Sequence, residues 1–144
     1  MVENDTIRLL RECNAGVKMG ISSIEEMLDK VSDDKMKDVL QAHLDTSHDI
    51  MNQTYEMLED CGDDGKEPNP MAKGMSYIKT NVKIAMEHTD QTIADLVTEG
   101  CDMGIRSLQR YINQYQAASD EAKKLTKKLM EAEGHLRDNM RQYL

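Results

Sequence analysis

The chain has no Trp and no Phe, and its aromatic content rests on five Tyr. A core without large rings must be filled by Leu, Ile, Val and Met, and Met alone contributes twelve residues. Flexible thioethers fill the irregular gaps between helices better than they fit pleated sheets, so the composition points to an all-α protein. Proline is almost as scarce: the only two, Pro68 and Pro70, lie in one polar stretch, so long helices elsewhere meet no breaker. No run approaches the ~20 apolar residues a membrane-spanning helix needs. The start, Met-Val-Glu-Asn-Asp, is acidic where a secretory leader would be basic and then apolar.

Positive charge is also short. Against 27 acidic residues stand 18 basic ones, net -9, and the basic ones are dispersed. Phosphate backbones need a concentrated positive surface, which argues against nucleic acid as a partner. The densest group, Lys123, Lys124, Lys127 and Lys128, reads as a solvated helix face. Three cysteines, Cys13, Cys61 and Cys101, form no Cys-x-x-Cys and leave an odd count, which suits a reducing cytoplasm. Nucleophile-elbow, phosphate-loop and dinucleotide-binding patterns are absent, as is any Cys/His set at zinc-ligand spacing.

What is present is helical periodicity. Ile7, Leu10, Val17, Ile21, Ile24, Leu28 and Val31 follow steps of three and four, with Asn14 at the one position left over. This predicts a helix over residues 5–31. Ser32-Asp33-Asp34 then caps a second, over 33–60, whose inward stripe runs Met36, Leu40, His43, Ser47, Ile50 or Met51, Thr54 and Leu58. The link is so short that the two must be antiparallel neighbours. Residues 62–70 are irregular, and a shorter amphipathic helix over about 71–87 carries Met71, Met75, Ile78 and Val82 on one side. A break near Thr89 or Asp90 opens a third long helix over 90–117, and Ser119 caps a fourth over 120–143. The alternative is one helix running from Met71 to Gly100. All 144 residues form one domain.

The third helix carries an oddity. Gly100 and Gly104 share a face with Ile93, Val97, Leu108 and Tyr111, yet glycine costs about 1 kcal/mol relative to alanine in a helix interior. Either another backbone packs closely there, or space is left inside the bundle. Asn14, His43, Ser47, Thr54 and Glu133 are the polar residues that point inward. With helix ends drawn level, Asn14, Ser47, Glu133 and Gly104 fall at one height, and His43 one turn away, closer to Gly100. With Tyr111 these line a small mid-bundle pocket. Met19, Met27, Met103 and Met130 flank or lie outside the inward stripes and offer a surface for a homodimer or a protein partner.

The helix count, the long crossover and the mid-bundle polar layer resemble the ferritin-like superfamily, in particular a bacterial branch with an incomplete di-iron ligand pattern. The resemblance implies a four-helix bundle with a short fifth helix in the crossover between the second and third main helices. In metal-binding members, one Glu on each of two helices and a Glu-x-x-His pair on each of the other two hold two metals. Here Asn14 stands at the first ligand position, the second helix offers only Asp45-Thr-Ser-His48, and the third offers glycines. Glu133 points inward while His135 points away. The leading expectation is therefore a non-enzymatic binding or assembly module, with a small ligand in the pocket. The rival is an oxidase or iron-storage protein holding iron or manganese through His43 and Glu133, joined by Glu99, Asp102 or His48 if the helix phase is rotated.

Overall fold

The computed structural model describes residues 2–63 and 89–144, with side chains from Asp5 onward. Four helices form an all-α bundle: α1 (Val2–Leu28), α2 (Asp34–Asp60), α3 (Asp90–Gln114) and α4 (Asp120–Met140), followed by a 3-10 turn at Arg141–Tyr143. Two of the starts have a side-chain cap. The Asp33 side chain accepts the Met36 amide at the head of α2, and the Ser119 hydroxyl accepts the Ala122 amide at the head of α4. α2 stops at Gly62, whose φ of 76° is left-handed. There the Gly62 amide reaches Glu59 O and the Asp63 amide reaches Leu58 O at 2.8 Å, the paired bonds of a Schellman end.

The helix directions follow from contacts at the bundle ends. At one end the Asp90 carboxylate accepts the Ser32 and Asp33 amides, both at 2.9 Å, so α3 begins beside the start of α2. At the other, Thr6 Oγ1 accepts the Ser119 amide at 2.8 Å and Asp5 accepts the Ala117 amide at 3.1 Å. The guanidinium of Arg11 bonds the Asp63 carboxylate at this same end. α2 and α3 therefore run parallel, and residues 63 and 89 lie at opposite ends of the bundle. α1 packs chiefly on α2, α3 on α4, and α2 on α4, while α2 and α3 sit diagonally without contact among the described residues.

The fifth helix expected over residues 71–87 lies outside the described residues. A single helix from Met71 to Gly100 is excluded at Thr89, where φ -86° and ψ 174° are extended. α1 ends at Leu28 although the apolar stripe continues to Val31, which is itself buried. The chain tightens there into i+3 bonds, Lys30 N to Met27 O and Val31 N to Leu28 O. The stripe thus registered burial beyond the helix end. Likewise α3 ends at Gln114 and α4 at Met140, short of 117 and 143.

The core is a continuous Leu/Ile/Met cluster in which Leu9, Met36, Leu40, Ile50, Leu58 and Met140 are fully buried. Each such side chain contributes about 1.5–3 kcal/mol of transfer free energy. No helix among the described residues is long and apolar enough to cross a membrane. The Asp90 latch is open to test: Asp90→Ala hands two exposed amides at the α1–α2 link over to water, and is expected to cost about 0.5–1.5 kcal/mol in urea denaturation. Asp90→Asn should recover part of it.

Candidate functional site

α1 and α3 touch more sparingly than α1 and α2, α3 and α4, or α2 and α4, and a groove of about 260 Å³ lies between them. Gly16 and Gly20 line it from α1, Gly100 and Gly104 from α3, and Leu129, Glu133 and Leu136 of α4 form its floor. A Cβ built on Gly100 or Gly104 would meet nothing within 4 Å, and one on Gly20 would lie 3.8 Å from Glu133 Oε1. These glycines therefore leave space; they do not admit a close backbone. Met19, Ile24, Met27, Leu96, Val97 and Met103 make most of the remaining wall apolar. Met27 is 4% exposed, so it faces the groove and core and does not belong to an outer docking face. The stripe of Ile7, Leu10, Val17, Ile21, Ile24 and Leu28 leaves it out because that stripe describes one buried side of α1, whereas α1 has a second buried side toward α3. Met19 and Met130 are half-buried, and Met103 at the rim is exposed.

Two polar centres serve this groove. At its floor Glu133, with a side chain 15% exposed, lies 3.6 Å from His43 Nε2. That nitrogen is buried and has no hydrogen-bond partner among the described residues. Cys101, also lining the groove, is buried beside Glu133. Burial first, and then the Glu133 charge, push its thiol well above the ordinary range, so it is not a ready nucleophile. Cys13 is raised to about 12 by burial.

The second centre is Glu12, 9% exposed and lining the groove near Tyr111. Tyr111 interacts with its carboxyl, while Glu12 Oε2 is buried without a hydrogen-bond partner among the described residues. Burial raises Glu12 above its ordinary 4.5, offset in part by the tyrosine. Tyr111 is in turn raised to about 12, by burial and then by the Glu12 charge, and stacks on Tyr115 with ring centres 6.3 Å apart.

An acid raised in the folded state binds its proton more tightly folded than unfolded. The resulting loss of stability is absent below pH 4.5 and grows as pH rises through the folded value. Glu12→Gln is expected to flatten this descending part of the stability profile, read by urea midpoints between about pH 4 and pH 7. A variant whose profile parallels the parent over that window would show Glu12 to be adequately solvated.

Asn14, fully buried, belongs to neither centre. Its Nδ2 donates to Thr54 Oγ1 at 2.8 Å, and that hydroxyl donates to Met51 O at 2.6 Å. Ser47 is buried elsewhere on α2. The level polar layer of Asn14, Ser47 and Glu133 is thus corrected to an Asn14–Thr54 bond and a separate Glu133–His43 pair beside Gly20. Drawing helix ends level ignores the axial offset between packed helices, so residues at equal drawn height need not meet.

His48 and Glu99 are exposed, and Asp102 is exposed and paired with Arg137 at 3.1 Å. None joins His43 and Glu133. Among the described residues no group of three or more His, Cys, Asp or Glu could hold a metal ion. The donor set around Glu133, one imidazole and a thiol shifted away from ionisation, does not fit a dinuclear iron or manganese centre.

Glu12, Gly16 and Gly20 escaped the sequence reading. A signal was there: Gly16 and Gly20 repeat on α1 the four-residue spacing of Gly100 and Gly104, and Glu12 precedes them by four again. No protein-family model matches this chain, and neither does any curated protein or solved structure.

Proposed function

We propose that this chain is a ferritin-like bundle of the cytoplasm that acts as a non-enzymatic binding module, taking a small elongated ligand in the α1/α3 groove. The parallel course of α2 and α3, which places their connection across the bundle's length, supports the ferritin-like reading. The observation that carries the binding reading is the open space over Gly100 and Gly104. Two interior glycines that admit no close backbone cost the helix about 2 kcal/mol in propensity, and the space they leave is what that cost maintains. At about 260 Å³ the groove lies at the small end of ligand sites, and its wall is mostly apolar with a few carboxyls.

The test combines stability and binding. Gly100→Ala with Gly104→Ala is expected to raise stability by about 1–2 kcal/mol, because both new methyls enter free space. Gly100→Leu with Gly104→Leu should fill the groove and abolish saturable binding of an environment-sensitive apolar dye while the bundle melts no lower than the parent. Dye binding that persists in the filled variant would sink the reading.

A further inference from the structure

The ligand's chemistry can be taken further, on the footing that the α1/α3 groove is a binding site. Its ionisable lining, Cys101 aside, consists among the described residues of Glu12, Glu133 and Tyr111, with no Lys, Arg or His in the wall. An apolar slot holding carboxyls and no cation is unbalanced. Glu12 lines the groove and is more than nine-tenths buried, and its Oε2 has no hydrogen-bond partner among the described residues. Glu133 meets the His43 edge at 3.6 Å, longer than a hydrogen bond, and lies beside the neutral Cys101 thiol, so among the described residues no cation balances it at hydrogen-bond distance.

The spacing is also informative. Glu12, Gly16 and Gly20 lie four residues apart on one face of α1, and Glu133 Oε1 sits over Gly20. The two carboxyls are therefore separated by about two helical turns, about 12 Å. Between them Gly16 presents no side chain, and Met19 and Leu108 supply apolar walls.

The geometry points to a linear aliphatic diamine as the ligand, one ammonium at Glu12 and Tyr111, the other at Glu133, and its methylenes lying over Gly16. An ammonium at the groove side of Glu12 would balance its carboxyl, and burial would strengthen each ion pair. A simple alkyl alcohol would satisfy the apolar wall alone. A single amine would satisfy one end.

Isothermal titration of the full chain with diaminooctane, octylamine, octanol and diaminobutane tests this. Diaminooctane, whose ammonium ends lie about 11 Å apart when extended, is expected to bind tightest. Octylamine and the short diaminobutane should be weaker by about tenfold or more, and octanol weaker still. Glu12→Gln and Glu133→Gln, each close in shape to the parent side chain, should each lower diaminooctane affinity by about tenfold or more and leave octanol binding unchanged. If octanol binds as tightly as the diamine and both variants behave as the parent, the diamine assignment fails while the groove remains an apolar site. If none of the four binds and the apolar dye does not either, the binding reading fails with it.

Discussion

Asn14→Asp is expected to destabilise the bundle by about 3–5 kcal/mol at neutral pH, as large an effect as any single oxygen-for-nitrogen exchange in this protein should have. Asn14 is fully buried, and its amide nitrogen is the donor in the bond to Thr54 Oγ1. The Thr54 proton is already committed to Met51 O. A carboxylate at this position has nothing to donate and would face an oxygen with nothing left to give. Burial would hold its folded pKa above the unfolded value of about 3.9, so the loss is absent below about pH 4 and complete once pH exceeds the folded value. Urea midpoints should show the deficit shrinking on acidification. A variant equal to the parent at neutral pH would mean that water or a second donor reaches this part of the core. Asn14→Leu, which buries no charge, should cost less.

Leu129→Ala is expected to cost about 2–5 kcal/mol, the range for a buried leucine whose surroundings relax only in part. Leu129 is 1% exposed and belongs at once to the continuous core and to the groove floor. Its truncation and the Gly100→Ala exchange both alter the lining of one groove, yet their effects should have opposite signs. The alanine methyl at Gly100 enters free space, whereas the lost isobutyl of Leu129 leaves a void among packed atoms. Thermal or urea denaturation separates the two. A cost under about 1 kcal/mol for Leu129→Ala would show that α4 collapses into the gap, and the groove would then be soft.

Much of the fold was legible because amphipathic helices report their own buried face. The stripe Met36, Leu40, His43, Ser47, Thr54 and Leu58 is the buried side of α2, polar members included, since helical phase alone assigns a residue to that side. Caps at Asp33 and Ser119 were equally local, each a side chain satisfying an amide three residues on. The glycines of α3 were visible as an anomaly, but their meaning was not. Close approach and open space call for the same residue, and only the distance to the facing helix separates them.

The candidate site itself was half legible. Glu133 and His43 were singled out because each interrupts an apolar stripe. Glu12 was not, because it faces α3 and lies off the α2-facing seam by which α1 was judged. A helix in a bundle has two or three buried sides, and one periodicity describes only one of them.

The amino-acid sequence by itself determined that this chain is helical, where α2, α3 and α4 begin to within a residue, and which face of each turns toward the core, whereas α1 starts at Val2, ahead of the expected residue 5. These follow from interactions within a turn or two of chain. Tertiary structure alone decided that Asn14 meets Thr54 and that Glu12 and Glu133 share one groove, and it selected the parallel α2 and α3 of the crossover reading over a single helix from Met71 to Gly100. Those depend on the axial offset and separation of helices distant in sequence, which are set by the summed packing of all four and by no single stretch.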